Sequence, residues 1–345
     1  MMKKNKPIPI LVTGLGAATV GTQILKALRI AKTPYRIIGT DMSKESTGLQ
    51  KADSAYIIPS AKNAKYSSTI MKICKKEKVR CIIPGTEIEL LKLSQKKKIF
   101  EKKGIFVLSN PYKLVNLCLD KGKLFEFLEK NHVKVPDFQV INNIKDFKKI
   151  SSPVIIKPIK GSGSRSVFVA ETNQEAKFFI KYLIERGQKV IVQEYAGGKD
   201  SEYTVGVLRI NNGKLKFSIA LKRDLTKNLS CKESIKSKFS NRKFFISTGI
   251  SQGRIDDYKQ VRATCEKISD VLQAEGPLNI QCRKTKDGII PFEINPRFSG
   301  TTSIRSLAGF NEPDIWINYL LNKKIIIPTL KKSVILRDII EIKQS

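Results

Sequence analysis

The stretch Gln281–Arg297 has the sequence QCRKTKDGIIPFEINPR, and it predicts a β-hairpin. An Asp-Gly pair at positions 287 and 288 separates two runs of strand-forming residues, which is a strong signal for a tight turn. Because successive side chains of a strand point to opposite faces, Glu293 and Asn295 share one face of the returning strand. Gln281 on the outgoing strand can share that face, and Arg297 follows just beyond it.

These side chains are suited to binding a metal together with phosphate. Mg²⁺ prefers hard oxygen ligands and is usually held by one or two carboxylates plus substrate phosphates. Glu293 offers a carboxylate, Gln281 and Asn295 offer carboxamide oxygens, and the forked guanidinium of Arg297 suits a phosphoryl oxygen. The hairpin therefore predicts an ATP site.

Composition limits the class of protein. The 345 residues suffice for two or three domains, and 41% of them are hydrophobic. No apolar run is long enough to span a bilayer, and Met1–Thr22 lacks the uninterrupted apolar stretch of a signal peptide. Six scattered cysteines without a C-x-x-C pair, and a single histidine, argue against a zinc site and a disulfide framework. We therefore expect a cytoplasmic protein without a membrane segment.

The formal net charge of +33 suggests a nucleic-acid-binding protein as one alternative. The basic residues, however, are spread through every segment of the chain. Clusters such as Lys75-Lys76 fall on predicted helix surfaces without interleaved aromatic residues. The other interpretation is a solvated, lysine-rich surface, and we do not expect nucleic acid as a partner.

The first 110 residues alternate between predicted strands and helices. Such βαβ alternation favours a parallel, doubly wound sheet. The predicted strands are 8–13, 36–40, 55–58, 80–83 and 105–108, and the predicted helices are 19–31, 66–77, 87–103 and 112–117.

The remainder is predicted to mix helices with short strands. The pattern is helical from Leu114 to Asn131, and an antiparallel pair covers 202–225 with a turn at Asn212-Gly213. Residues 226–247 are polar and basic, which predicts a mobile loop or lid. Further strands are predicted at 154–157, 167–170 and 190–193, further helices at 173–186, 256–274 and 311–322, and a terminal strand or tail in the last fifteen residues.

The loop after the first strand, from Thr13 to Gly21, has two interpretations. As a dinucleotide fingerprint, with Asp41 on a ribose, it would indicate a nicotinamide-dependent oxidoreductase. Thr19, however, stands where the third glycine of G-x-G-x-x-G belongs, and Gly21 comes two residues later. The other interpretation is a tight turn between strand and helix.

A second group of residues is suited to polyphosphate. Lys157 is the one charged residue in the predicted buried strand Ile155–Pro158, and a buried lysine is costly without an anion. The following stretch, 159–167, is rich in glycine and serine, so its N–H groups could cradle phosphates, although it is not a Walker A sequence. An exposed Gly-Ser turn is the alternative.

A third group lies at predicted strand ends. Gln193 and Glu194 could present groups to adenine, and Glu202, after the Gly197-Gly198 hinge, could bind ribose hydroxyls. Solvated strand ends are the alternative for each of these residues.

The order and spacing of these elements resemble the ATP-grasp superfamily, in particular proteins similar to the large subunit of carbamoyl-phosphate synthetase and related carboxylate–amine ligases. The resemblance covers nearly the whole chain, and its most specific part is Glu293-x-Asn295-x-Arg297 with Gln281 upstream. It implies an α/β fold that is α+β in its C-terminal part. A Rossmann-like pre-ATP-grasp domain (1–112) would precede a two-lobed ATP-grasp domain (113–330), with a lid lobe at 135–195, a C-terminal lobe at 196–330 and a tail at 331–345.

The resemblance also implies roles for individual residues. Lys121 and Lys157 would contact ATP phosphates, and the phosphate loop would consist of Gly161, Ser162, Gly163 and Ser164. Gln193 and Glu194 would lie at adenine, and Glu202 would lie near ribose. Mg²⁺, or Mn²⁺ in its place, would be held by Gln281, Glu293 and Asn295, and Arg297 with Lys157 would act on the transferred phosphoryl group. Arg223 and Arg305 are candidate binders of the substrate carboxylate.

The implied function is an ATP- and magnesium-dependent ligase that joins a small carboxylate to an amine through an acyl phosphate. The chain holds one ATP-grasp unit and no visible glutaminase segment, so we do not expect it to make carbamoyl phosphate alone. A homodimer is compatible with the resemblance. An ATP-grasp relic that binds nucleotide without ligating is a further alternative.

Overall fold

The computed structural model describes residues 6–17, 19–150, 153–161, 163, 166–198, 201–226 and 229–338. Its N-terminal part is a five-stranded parallel sheet in the order β3-β2-β1-β4-β5, as the alternating pattern predicts. The elements are β1 (Ile8–Thr13), α1 (Val20–Arg29), β2 (Tyr35–Asp41), β3 (Ser54–Ile57), α2 (Tyr66–Lys76), β4 (Cys81–Ile83), α3 (Glu87–Glu101) and β5 (Phe106–Val107).

Two short helices lead into a small antiparallel sheet in the order β6-β9-β7-β8. The single helical stretch predicted from Leu114 to Asn131 is divided in two, because the Asp120 side chain accepts a hydrogen bond from the Lys123 N–H and so caps a new helix. The elements are α4 (Tyr112–Cys118), α5 (Lys121–Lys130), β6 (Phe138–Ile141), β7 (Val154–Pro158), β8 (Phe168–Ala170), α6 (Asn173–Ile184) and β9 (Val190–Glu194).

The C-terminal part is built on an antiparallel sheet in the order β16-β15-β10-β11-β14-β17. Its elements are β10 (Glu202–Ile210), β11 (Leu215–Arg223), β12 (Cys231–Lys236), β13 (Lys243–Ser247), β14 (Gly253–Ile255), α7 (Lys259–Val271), β15 (Gly276–Thr285), β16 (Gly288–Asn295), α8 (Thr302–Leu307), α9 (Glu312–Asn322) and β17 (Ser333–Ile335).

Two features of this part differ from, or sharpen, the sequence-based expectations. The stretch 226–247, predicted as a mobile loop or lid, contains the antiparallel hairpin β12–β13. Phe244, Phe245 and Ile246 of β13 are all buried, and this short apolar run lies within an otherwise basic, polar segment. The terminal stretch contributes β17, which pairs with β14 at the edge of the sheet.

The N-terminal sheet and the C-terminal lobe share one hydrophobic core. Ile10 and Leu25, from β1 and α1, pack in the same cluster as Phe298, Ile304 and Trp316. This packing brings the carboxyl ends of the parallel strands toward the exit of β16, where Arg297 lies. The α/β fold inferred from the sequence is confirmed.

Candidate functional site

The β15–β16 hairpin aligns the three predicted metal ligands. Gln281 pairs directly with Glu293 in the register of the two strands, and a bulge follows Gln281. Asn295 Nδ2 donates to Glu293 Oε1 over 3.1 Å, and Arg297 Nη2 donates to Asn295 Oδ1 over 3.3 Å. One carboxylate and two carboxamides therefore meet on one face, as their spacing predicted.

Lys157, on β7, lies against the same hairpin. Its side chain is buried, and Nζ donates to the carbonyl oxygen of Phe292 over 3.2 Å. Burial and the nearby positive charge of Lys121 lower the pKa of Lys157 to about 7, although Glu293 opposes the shift. An anionic ligand would add a further counter-charge to that of Glu293.

Lys121 anchors the start of the glycine–serine loop. It occupies the first position of α5, and its Nζ donates to the carbonyl oxygens of Ile159 (3.3 Å) and Gly161 (2.8 Å). Gly161 and Gly163 both adopt positive φ, which a residue with a Cβ would resist. Ser162 and Ser164 lie outside the described residues.

A cleft is lined by Lys121, Lys157, Gln281 and Glu293 together. Its empty volume, which includes space open to solvent, is about 790 Å³. The small sheet forms one wall, the β12–β13 hairpin another, and the β15–β16 hairpin the floor. The lining residues are Lys121, Ile155, Lys157, Pro158, Gly161, Gly163, Val167, Gln193, Glu194, Tyr195, Ala196, Phe245, Ile246, Ser247, Gln281, Arg283, Phe292 and Glu293.

The structure does not bring Glu202 to this cleft. Its carboxylate is fully buried and accepts ion pairs from Arg223 (3.0 Å) and Arg283 (2.9 Å). Burial alone would raise the pKa of Glu202, but the two guanidinium groups hold it below its ordinary value. Because both oxygens are engaged inside the sheet, the ribose role predicted for Glu202 does not fit its position.

The two arginines predicted to bind a substrate carboxylate are also engaged internally. Arg223 is paired with Glu202, and Arg305 with Glu312 at 3.3 Å, and all four side chains are almost completely buried. Arg297 is different, because it is partly accessible and pairs with Glu87 of α3 at 3.0 Å. Of Arg223, Arg297 and Arg305, it is Arg297 that contacts the N-terminal part of the chain.

Sequence reasoning assigned no role in the site to Arg283. Arg283 follows Gln281 by two residues, a spacing that could have drawn attention to it. Its guanidinium lies 4.4 Å from the centre of the Tyr195 ring and lines the cleft. Residues 245–247 lie within the stretch that the sequence predicted as a mobile loop or lid, and they line the same cleft.

The predicted donor set fits a magnesium ion held jointly with phosphate. Among the residues that the structure describes, no three or more His, Cys, Asp or Glu side chains form a metal cluster. A site built on Glu293 with the amide oxygens of Gln281 and Asn295 therefore needs further oxygen ligands. Nucleotide phosphates supply such ligands in sites of this kind.

In the glycine loop between β1 and α1, backbone carbonyls accept hydrogen bonds from hydroxyl groups of the same segment. Thr19 Oγ1 donates to the Gly14 carbonyl over 2.6 Å, and Thr22 Oγ1 donates to the Gly16 carbonyl over 2.6 Å. A Cβ on Gly21 would lie 2.4 Å from the Thr13 carbonyl oxygen, so this glycine permits close approach of helix and strand. These contacts favour the second interpretation of the loop, a tight turn between strand and helix.

Two family descriptions match the chain. Residues 10–108 match the PylC-like N-terminal domain, and residues 118–301 match the ATP-grasp domain. The chain belongs to the ATP-grasp family. The ATP-grasp match spans the residues that line the cleft, together with Asn295 and Arg297.

Similar proteins agree with this assignment. The carbamoyl phosphate synthase large chain of Pyrococcus furiosus is 25% identical over 323 residues, which is 86% of this chain and 29% of that protein. This ATP-grasp chain therefore spans under a third of that relative's length. The ATP-grasp match supports an ATP-dependent ligase.

Solved structures share the ATP-grasp fold. The L-amino acid ligase of Bacillus licheniformis has a TM-score of 0.67 at 13% identity, covering 91% of this chain and 74% of that one. The biotin carboxylase domain dimer of Hydrogenobacter thermophilus 2-oxoglutarate carboxylase, solved with magnesium ADP, ADP and bicarbonate, has a TM-score of 0.63 at 15% identity, covering 92% of this chain and 72% of that one.

In the described part of the chain, no helix is long and apolar enough to cross a bilayer.

Proposed function

We propose that this ATP-grasp chain joins a small carboxylate to an amine through an acyl phosphate, using ATP and Mg²⁺. The observation that supports this most is the meeting of Lys157 with Gln281 and Glu293 at one cleft, with Asn295 hydrogen-bonded to Glu293 beside it. A buried cation and a cluster of oxygen ligands together suit a magnesium polyphosphate.

In the first step, an oxygen of the substrate carboxylate attacks the γ-phosphorus of ATP, and the bond to the β-phosphate oxygen breaks, releasing ADP. Bound Mg²⁺ would neutralise charge on the phosphate oxygens. Lys121 and Lys157 lie where they can bind the phosphates, and Arg297 can stabilise the phosphoryl group in transfer. In the second step, the amine nitrogen attacks the acyl carbon and inorganic phosphate leaves.

Water must be kept from the acyl phosphate, which would otherwise hydrolyse. Gly161 and Gly163 of the Gly-Ser loop and residues 245–247 of the β12–β13 hairpin line the cleft. We assign these two segments to closing the site, and Glu87 to orienting Arg297 through their ion pair.

Release of ADP and phosphate, measured with MgATP against a panel of carboxylates and amines, tests this function. We expect release that depends on one acid–amine pair. Glu293→Gln should lower the rate on the order of 100-fold or more, because it removes the one carboxylate of the ligand set. Asp287→Asn, at the exposed turn of the same hairpin, is the matched control, because Asn-Gly also favours that turn.

Several results would contradict the proposal. An unchanged rate in Glu293→Gln would reject the metal assignment. Release with the acid alone would indicate a kinase-like activity, and absence of MgATP binding in the wild-type protein would reject the site. Quenching of NADH fluorescence on titration would instead favour the oxidoreductase.

A further inference from the structure

The β12–β13 hairpin is held at its base by one buried arginine. Arg223 Nη2 donates to the carbonyl oxygens of Ser230 (3.2 Å), Thr248 (2.9 Å) and Ile250 (3.3 Å). These three carbonyls flank the two ends of the hairpin. A single guanidinium thereby ties the outgoing and returning chain together.

A second buried arginine holds the side of the hairpin that faces the cleft. Arg283 Nη2 donates to the carbonyl oxygen of Phe245 over 3.2 Å, and Nη1 donates to that of Ala196 over 3.0 Å. Phe245 belongs to β13, and Ala196 belongs to the connection between the small sheet and β10. Arg283 therefore joins the hairpin, this connection and the β15 strand.

Glu202 links the two arginines. Its Oε1 accepts from Arg223 Nη1 at 3.0 Å, and its Oε2 accepts from Arg283 Nη2 at 2.9 Å and Nε at 3.2 Å. One carboxylate thus orients two guanidinium groups, and because all three side chains are buried, such charge-assisted bonds are strong and geometrically specific. We call Glu202, Arg223 and Arg283 the buried triad.

The hairpin that the triad holds is also packed against the small lobe. Phe244 makes an edge-to-face contact with Tyr195, with ring centres 5.0 Å apart, and Lys238 pairs with Glu175 at 2.7 Å. Arg242 Nη2 donates to the Gly197 carbonyl over 2.7 Å. The hairpin consequently spans from the large sheet to the small one, and its residues 245–247 face the cleft.

We propose that the buried triad is a positioning device that fixes the β12–β13 hairpin as a nucleotide-binding wall. This inference rests on the proposed nucleotide role of the cleft. Glu202 acts through Arg223 and Arg283 and does not itself contact the ribose. Loss of its charge loosens the hairpin and weakens binding of ribo- and deoxyribonucleotides alike.

Hydrogen exchange and MgADP affinity in Glu202→Gln and Arg283→Lys test the triad. Arg283→Lys keeps a positive charge beside Glu202 but cannot bridge Ala196, Phe245 and Glu202 at once, so it serves where Glu202→Gln fails to fold. Glu233→Gln, an exposed carboxylate on β12 that does not line the cleft, is the charge control. We expect faster amide exchange over 243–247 in the triad variants only.

The nucleotide measurements separate positioning from direct contact. We expect the triad variants to weaken MgADP binding about tenfold, the size of one lost hydrogen-bonded contact, with an unchanged ratio between ADP and 2′-deoxy-ADP. A changed ratio in Glu202→Gln would show ribose contact and overturn the proposal, as would wild-type exchange over the hairpin. If wild-type protein binds no MgADP, the proposed function fails as well. If it binds and the variants match it, the triad proposal fails alone.

Discussion

At the scale of single residues, Lys157 is the most informative group in the cleft. Burial and the charge of Lys121 lower its pKa to about 7, so at neutral pH a large fraction of the side chain is uncharged. A polyphosphate beside Nζ favours the charged form and raises that pKa. Ligand binding and protonation of Lys157 are therefore coupled.

This coupling predicts proton uptake when MgATP binds. Above pH 7 the free protein holds a mostly neutral Lys157 and the complex holds a charged one, so binding takes up a proton. The affinity should fall as pH rises from about 7 toward the pKa of the complex, by at most about tenfold per pH unit. Calorimetry at pH 8 in two buffers with different ionisation enthalpies measures the uptake.

The control for this prediction is Lys157→Met, which keeps the length of the side chain and removes the titrating group. In that variant the uptake should shrink and the pH dependence of the affinity should flatten. Equal uptake in wild-type protein and Lys157→Met would contradict the assignment of the proton to this side chain.

At the scale of elements, the turn between β1 and α1 shows how a glycine pattern can serve packing. The Gly14 and Gly16 carbonyls are bonded by the hydroxyls of Thr19 and Thr22, and Gly21 lies against the Thr13 and Gly14 carbonyls. Close packing of helix against strand therefore explains the glycine spacing in this turn.

Gly21→Ala should therefore destabilise the fold. The added Cβ would meet backbone oxygens at 2.4 and 2.6 Å, and such overpacking costs about 3 kcal/mol in the free energy of unfolding. Gly249→Ala is the control, because no atom lies within 4 Å of its added Cβ. Urea unfolding of the two variants measures the difference, and equal stabilities would contradict this view of the turn.

At the scale of the whole molecule, the shared hydrophobic core joins parts that match two different family descriptions. Leu25 of α1 packs in the same buried cluster as Ile304 of α8 and Trp316 of α9. Asn110, in the connection between the two matched regions, donates from Nδ2 to the Pro277 and Pro296 carbonyls at 2.8 and 3.1 Å. The N-terminal sheet is thus packed and hydrogen-bonded to the strands that carry the site.

The shared core predicts that the N-terminal sheet and the C-terminal lobe unfold together. Leu25→Ala should lower the free energy of unfolding by about 2–5 kcal/mol, as expected for a buried leucine. Calorimetry should show one transition at a lower temperature. Two separate transitions, with only the first one shifted, would show that the two parts unfold independently.

The sequence by itself determined the features that depend on neighbours along the chain. The Asp-Gly turn and the two-residue period of a strand place Glu293 and Asn295 on one face, with Gln281 opposite, and the alternating pattern predicts the parallel sheet. These are local rules of backbone geometry, so they can be read without knowledge of distant contacts. The single charge in a buried strand singled out Lys157, and the family resemblance added Lys121.

Only the tertiary structure decided which partners the other charged groups bind. Glu202 was expected at a ribose and Arg223 at a substrate carboxylate, yet they bind each other, and Arg283, which was not singled out, completes the set. The hairpin within 226–247 was likewise invisible, since its buried face is paired with residues of the small lobe. Glu202 and Arg223 are buried beside opposite charges and do not line the cleft. The partners of Glu202 lie up to 81 residues away in the sequence, and the packing of the strands brings them together.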